Sequence, residues 1–151
     1  MPPQPSSKVS DMDERLNVFT YGSLMFPAVW DRVVRGQYRS ALASIHGFKR
    51  VCVRNREHPA LVVSPGAAAL TGRVYFDVGK QDLARLDYFE TTNYARVTIA
   101  ATVGGAAISA QAYLALNFES LLDVDWDASE FEKKGLPVFL ATYAVQNAPR
   151  G

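Results

Sequence analysis

The stretch Tyr21-Gly22-Ser23-Leu24 combines an aromatic ring, a glycine and a hydroxyl at a point where the chain must turn. It follows a predicted strand, Leu16 to Thr20, and precedes a short predicted helix, Ala28 to Val34. Glycine permits positive φ and close approach of a ligand, and successive N–H groups at such a turn bind carboxylates or oxyanions. An ordinary turn is an equal alternative, because Gly and Ser are common in turns. An anion-binding loop is therefore indicated only if a reactive side chain elsewhere belongs to the same site.

Glu90 is the strongest candidate for that reactive side chain. A helix is predicted from Lys80 to Phe89, with Leu83 and Leu86 on its core-facing side, and four more residues along that face lead to Glu90. A carboxylate there meets the negative end of the helix dipole and the interior, and both effects raise its pKa. Such a group suits general acid/base work near neutral pH. The alternative is a frayed helix end that points Glu90 into solvent.

The segment after Glu90 alternates in polarity, as a strand does. Tyr94, Arg96 and Thr98 share one face, so Tyr94 and Arg96 are candidates for lining a site near Glu90. Arg96 is equally suited to pair with a carboxylate, and a plain solvent-facing surface explains the same pattern. Tyr113, in the following strand, is a further candidate with a polar tip.

The other reactive residue types predict less. Cys52 lies in an apolar stretch typical of a buried cysteine, and His46 and His58 lack the flanking ligands of a metal site, so no metal is predicted. Asp123, Asp125 and Asp127 alternate in what reads as a loop, without the glycine and terminal Glu of a calcium loop. Helix capping by Asp127 is the simpler interpretation.

The elements that must position these residues are short strands with few helices, without regular βαβ alternation. Gly104-Gly105 predicts a hairpin between the last two strands, and Gly135 and Pro137 are expected to break or restart the final helix before Val138 to Val145. This pattern predicts an α+β domain with a largely antiparallel, barrel-like sheet. The remaining predicted strands are Tyr38 to Val53 (interrupted at His46-Gly47), Ala60 to Ser64, Ala69 to Val78, Tyr94 to Val103 and Ala107 to Leu116.

Composition predicts one globular domain. The 151 residues are 48% hydrophobic, and the net charge of +1 has no basic or acidic block, which argues against nucleic acid or a membrane as partner. A single cysteine fits a reducing cytoplasm. Residues 1–14 are expected to form a flexible tail, 15–147 the domain and 148–151 a flexible end.

Several of these segments, taken in order, resemble the γ-glutamylcyclotransferase superfamily. The similarity is greatest to its AIG2-like branch, which includes γ-glutamylamine cyclotransferase, and it extends from Asn17 to Val145. It implies a small mixed, mostly antiparallel β-barrel with flanking helices. The segments that carry it are Val18 to Leu24, His46-Gly47-Phe48, Leu86-Asp87-Tyr88-Phe89-Glu90 and Tyr94-Ala95-Arg96.

The resemblance implies an activity and roles for these residues. Enzymes of this family release 5-oxoproline from γ-glutamyl compounds by intramolecular aminoacyl transfer, without metal or organic cofactor. Glu90 aligns with their acid/base carboxylate. The expected substrate is a γ-glutamylamine or a small γ-glutamyl peptide. The substrate-binding residues expected here are Tyr21, Gly22, Ser23, Leu24, Tyr94, Arg96 and Tyr113.

Two departures leave the leaving-amine side of the pocket open. Ala60 follows His58-Pro59 where the plant branch tends to have a cysteine, and Thr91-Thr92-Asn93 replaces a Gly-containing turn. A non-catalytic module that binds an amino acid or carboxylate is the alternative from another class. A related acyltransferase of a biosynthetic pathway is a third. The sequence predicts no particular oligomeric state.

Overall fold

A computed structural model of the chain describes residues 15–90, 93–116 and 118–146. The predicted tail (1–14) and flexible end (148–151) lie outside the described residues. Thr91 and Thr92, from the segment that replaces the Gly-containing turn, also lie outside them. Among the described helices, none is both long and apolar enough to cross a membrane.

A five-stranded closed barrel carries the site, with strand order β1-β5-β2-β6-β7. Its neighbours pair antiparallel except β1 and β7, which are parallel. The predicted α+β, mostly antiparallel barrel is confirmed. Its strands are β1 (Arg15–Thr20), β2 (Ser40–Ile45), β5 (Leu70–Gly79), β6 (Tyr94–Val103) and β7 (Ala106–Ala115).

Two seams divide the barrel into two groups of strands. β5 pairs over long registers with β1 and β2, and β6 pairs with β7 along its whole length. Between these groups, the described strands share one residue pair at each seam, Val18 with Gln111 and Ser44 with Thr102.

A second, three-stranded sheet has the order β4-β3-β8, formed by β3 (Phe48–Val53), β4 (Pro59–Val63) and β8 (Leu121–Asp125). The prediction of a loop around Asp123 and Asp125 was wrong, because these residues belong to β8 and Asp125 pairs with Val51. Their alternation with Val124 is the period of two of a strand at the edge of a sheet, where charged side chains remain solvated.

Helices flank the barrel. A 3₁₀ turn (Ser23–Met25) leads into α1 (Pro27–Val33), and α2 (Lys80–Glu90) connects β5 to β6. At the end of the described chain, α3 (Ala128–Glu130) continues through a π-helical turn (Phe131–Gly135) into α4 (Leu136–Gln146).

The cap on α3 was predicted correctly, whereas the break in the final helix was not. Asp127 Oδ1 accepts hydrogen bonds from the amides of Ser129 (2.9 Å) and Glu130 (3.2 Å). Pro137, which lacks an N–H, is the second residue of α4 and directly follows the π turn and Leu136, and the helical path is not interrupted there.

The core has two clusters because several strands are buried on both faces. Val18 belongs to a cluster with α1 and α2, whereas its neighbour Phe19 belongs to the other. In β5, Val74 and Tyr75 divide in the same way, and Tyr75 stacks on Trp30 with ring centroids 3.7 Å apart.

The buried carboxylate of Asp82 fixes the start of α2 against the loop after α1. It accepts hydrogen bonds from the amides of Arg35 and Gly36 (both 2.9 Å), the Tyr38 hydroxyl (2.6 Å) and Arg85 (2.6 Å). Burial by itself would raise the pKa of Asp82, but these hydrogen bonds outweigh it and the pKa is lowered. The carboxylate is therefore ionised and fully used in structure.

Candidate active site

A cavity of about 890 Å³ lies where β1, α2 and the β3–β4 loop meet. Seven of the eight predicted site residues line it, and the eighth, Arg96, is outside the lining formed by the described residues. The seven are Tyr21, Gly22, Ser23, Leu24, Glu90, Tyr94 and Tyr113.

The loop Tyr21–Leu24 is held from two sides. The Tyr21 hydroxyl donates to the backbone carbonyl of Tyr113 (2.6 Å), and the Arg50 guanidinium donates to the backbone carbonyl of Tyr21 (2.8 Å). The guanidinium carbon of Arg50 also lies 5.1 Å from the centre of the Trp126 ring, which places it between the second sheet and the loop. The loop is therefore fixed in position before any ligand binds.

The amides of this loop are available to a ligand. The Gly22 and Ser23 carbonyls accept from Met25 (3.0 Å) and Phe26 (3.1 Å), which closes the 3₁₀ turn. In the described part of the chain, the N–H groups of Gly22, Ser23 and Leu24 donate to no protein acceptor. Such donors bind carboxylates or oxyanions.

Gly22 is required for space rather than for positive φ. Its φ is −133°, so the expectation based on the left-handed region does not apply. A Cβ on Gly22 would lie 2.6 Å from Cδ and 2.7 Å from Cγ of Pro59, closer than any real contact. The absence of a side chain therefore lets the loop pack directly against the start of β4.

Glu90 is the last residue of α2, is partly buried and lines the cavity. Burial, and to a lesser extent the charge of Asp87, raise the pKa of Glu90 to about 8. The predicted direction of this shift is confirmed. Near neutral pH the group can therefore both accept and return a proton.

The phenols around Glu90 remain protonated and can only donate or relay hydrogen bonds. Burial, followed by the charge of Glu90, raises the pKa of Tyr21 and of Tyr94. Burial and the hydrogen bond to Asp87 raise the pKa of Tyr113. The Tyr94 hydroxyl donates to the Pro59 carbonyl (3.3 Å), so it also connects β6 to the wall behind Gly22.

Arg96 pairs with a carboxylate, which was one of the two roles that its position allowed. Its Nε lies 2.9 Å from Asp87 Oδ1, and a terminal nitrogen donates to Gln111 Oε1 (3.3 Å). Tyr113, opposite Arg96 in the β6–β7 register, donates to the same Asp87 oxygen (2.7 Å). Arg96 therefore reaches the cavity through Asp87, which does line it.

The sequence did not assign roles to the other wall of the cavity. The β3–β4 loop from Asn55 to Pro59 contributes one side, and Phe139 of α4 packs its ring edge-to-face against His58, with centroids 6.5 Å apart. Burial lowers the pKa of His58, so its imidazole is neutral near pH 7. The His58-Pro59 pair was a visible signal for this loop, whereas nothing local in the sequence marks Phe139.

Potential metal ligands are not grouped in this site. Among residues 15–90, 93–116 and 118–146, no three His, Cys, Asp or Glu side chains lie close enough to share an ion. The chemistry available from the described residues is proton transfer by Glu90 beside a row of donor amides.

Comparisons with known proteins agree with the resemblance. A family model described as γ-glutamyl cyclotransferase, AIG2-like, matches residues 18–130. Protein AIG2 C of Arabidopsis thaliana is 25% identical over 130 residues, covering 84% of this chain and 78% of that protein. AIG2-like protein A of the same plant is 32% identical over 90 residues, covering 60% of this chain and 54% of that protein.

A solved structure described as a γ-glutamyl cyclotransferase shares the fold. It superposes with a TM-score of 0.62 at 19% identity and covers 91% of this chain and 90% of its own. With the family model matching most of the chain, the protein belongs to the γ-glutamyl cyclotransferase, AIG2-like family.

Proposed function

We propose that this protein releases 5-oxoproline from a γ-glutamylamine or a small γ-glutamyl peptide. The observation that carries the proposal is that Glu90, with its pKa raised to about 8, shares one cavity with the loop of free amides at Gly22 to Leu24. The cavity volume of about 890 Å³ suits a small molecule rather than a protein segment.

The reaction begins with removal of a proton from the substrate's α-ammonium group by the Glu90 carboxylate. The freed amine attacks the γ-carbonyl carbon of the same molecule, forming the C–N bond of the five-membered lactam and an oxyanion. Collapse of this intermediate breaks the bond to the leaving nitrogen, which takes the proton back from Glu90, and the ring nitrogen gives its second proton to the regenerated carboxylate, which passes it to solvent. Attack within one molecule requires mainly positioning, so no nucleophilic side chain is needed.

The amides of Gly22 to Leu24 are suited to hold the substrate's α-carboxylate or the oxyanion. Tyr21, Tyr94 and Tyr113 supply neutral walls around Glu90. Because the phenols are neutral, they keep the cavity free of a second strong base beside the carboxylate.

The single Cys52 accords with activity in a reducing cytoplasm, where a chain needs no disulfide of its own. We include this location, and a small-molecule partner rather than nucleic acid or a membrane, in the proposal.

The test measures 5-oxoproline release from a panel of γ-glutamylamines, γ-glutamyl amino acids and γ-glutamyl dipeptides. Glu90→Gln is expected to reduce kcat by roughly 10²- to 10⁴-fold, the usual contribution of general acid/base catalysis. The matched control is Glu130→Gln, which removes a carboxylate on α3 that pairs with Lys134 (3.2 Å) outside the cavity. Turnover by Glu90→Gln at the wild-type rate would overturn the mechanism.

The same panel separates the enzyme from a binding module of the same fold. A module would bind γ-glutamyl compounds, as measured by calorimetry, and release no 5-oxoproline from any of them. That outcome would overturn the proposed activity while leaving the cavity as a ligand site.

A further inference from the structure

Asp87 occupies a constrained position one turn before Glu90. Its carboxylate accepts hydrogen bonds from Arg96 Nε (2.9 Å) and from the Tyr113 hydroxyl (2.7 Å) at the same oxygen, while the second oxygen accepts from the Arg96 NH2 group (3.3 Å). The pair with Arg96 is thus bidentate, the geometry in which an arginine holds a carboxylate most firmly.

The β6–β7 hairpin holds the other side of this contact. Arg96 and Tyr113 face each other in its register, as do Thr98 and Gln111 in the next pair on that face. Arg96 donates to Gln111 Oε1 (3.3 Å), and Gln111 donates to the Thr98 hydroxyl (2.8 Å). Asp87 therefore joins the last turn of α2 to two strands through a row of hydrogen-bonded side chains.

The charge of Asp87 lies within reach of Glu90. On the same helix Asp87 is the acidic neighbour of Glu90, and from the loop after β1 and from β6 and β7 the facing groups are the neutral phenols of Tyr21, Tyr94 and Tyr113. The β3–β4 loop brings Arg56, Glu57 and His58 to the opposite wall of the cavity. Of these charges, that of Asp87 raises the pKa of Glu90. The positive charge of Arg96, which pairs with Asp87, opposes this effect.

We infer that Asp87 is a positioning residue for Glu90: held by Arg96 and Tyr113, it anchors the last turn of α2 to the β6–β7 hairpin and places its negative charge beside the neighbouring carboxyl group. The catalytic importance of this role of Asp87 rests on the proposed function, in which Glu90 transfers protons. Arg96, in this view, acts through Asp87 rather than on the substrate.

Two charge variants give opposite expectations, which a purely structural role would not. Asp87→Asn removes the negative neighbour and should lower the pKa of Glu90. Arg96→Gln leaves the charge of Asp87 uncompensated and should raise the pKa of Glu90. If the contact only supported the fold, breaking it from either side would disturb Glu90 in the same direction.

The experiment follows the Glu90 carboxyl carbon by ¹³C NMR during a pH titration of the full chain, with its signal assigned by comparison with Glu90→Gln. Tyr113→Phe is the control, since it removes one hydrogen bond to Asp87 without changing any charge, and should move the Glu90 titration less than either charge variant. Shifts in the same direction for Asp87→Asn and Arg96→Gln, or no shift in either, would overturn the inference. If Asp87→Asn fails to fold, Arg96→Gln is compared with Tyr113→Phe, and a Glu90 pKa that is lowered or unchanged in Arg96→Gln would overturn the inference.

The titration needs no substrate, so its result is independent of turnover. Opposite shifts without any release of 5-oxoproline would support the inference and reject the proposed function. If turnover depends on Glu90 but neither charge variant shifts the Glu90 titration, the proposed function is supported and the inference is rejected. Where turnover is measurable, kcat/KM against pH should move with the titration in each variant.

Discussion

The Tyr21 hydroxyl lies 2.6 Å from the backbone oxygen of Tyr113 and joins the loop after β1 to β7 inside the cavity wall. Tyr21 and Tyr113 are 92 positions apart in the chain. Their hydrogen bond connects the loop that carries the amides of Gly22 to Leu24 with Tyr113, the residue whose hydroxyl binds Asp87. A buried bond of this kind costs most when only one partner is removed. The binding half and the reactive half of the proposed site consequently depend on a shared contact.

The pH dependence of the proposed reaction follows from Glu90. Its carboxyl group must be ionised to accept the substrate's proton, and its pKa is about 8. We expect kcat/KM to rise about tenfold per pH unit below pH 8 and to level off above it. Steady-state kinetics between about pH 6 and 9 test this. Glu90→Gln is the control, because a limb caused by the substrate's own amine would persist in it, and that persistence at the same pH would contradict the assignment.

Glu90 should also lower the free energy of unfolding at high pH. Its pKa is raised from 4.5 to about 8 on folding, so its neutral form is favoured in the native state. The favourable contribution is complete below about pH 4.5 and is lost as the pH rises through 8. Glu90→Gln should therefore exceed the wild type in free energy of unfolding by an amount that grows from pH 5 to 8, reaching on the order of a few kcal/mol. Urea unfolding at several pH values measures the difference, and a constant gap would contradict it.

Gly22→Ala should distort the loop, because the new Cβ would meet the Pro59 ring at 2.6 Å. We expect a loss of about 1–3 kcal/mol in the free energy of unfolding, typical of overpacking, together with weaker substrate binding. Gly79→Ala is the matched control, since a Cβ there has its nearest contacts at an ordinary 3.6 Å and that position is outside the cavity lining. Equal effects of the two changes on KM would show that the loop tolerates a side chain at Gly22.

Asp82 should give an acid-dependent contribution to stability. Its pKa is lowered in the folded state, so the contribution is present above about pH 4 and is lost as the pH falls through the folded value. Asp82→Asn should cost on the order of 3 kcal/mol at pH 7, since it leaves buried donors poorly matched, and the gap to wild type should shrink below pH 4. Thermal unfolding across this range is the measurement. Asp123→Asn, on an exposed carboxylate beside Lys49, should change little at any pH.

Local patterns in the sequence were sufficient to predict most of the barrel. The alternation of Tyr94 to Ile99 and the Gly104-Gly105 turn predicted the β6–β7 hairpin because both signals act between neighbours in the chain. The strand β8 was missed because it is only five residues long and its two aspartates, both exposed, resemble a loop. Its status as a strand depends on pairing with Val51 and Val53, some 70 residues earlier.

The site was predictable to the extent that it follows a helix face. Leu83 and Leu86 lie on the buried face of α2, and Glu90 lies where their spacing leads. The bidentate contact of Arg96 with Asp87 could not be distinguished from a solvent-facing arginine, because it depends on how α2 packs across the hairpin. Phe139 reaches the cavity from the far end of the described chain, a distance that no local pattern encodes.

The two seams of the barrel divide the walls of the cavity between two groups of strands. β1, β5 and β2 form one group and β6 with β7 another, and the described strands of the two groups share the ladder pairs Val18–Gln111 and Ser44–Thr102. The loop at Tyr21 continues from the first group, whereas Tyr94 and Tyr113 belong to the second. The hydrogen bond from the Tyr21 hydroxyl to the Tyr113 carbonyl therefore crosses between the groups. One tyrosine side chain thus adds to the backbone ladders a cross-link between the two halves of the ligand-binding cavity.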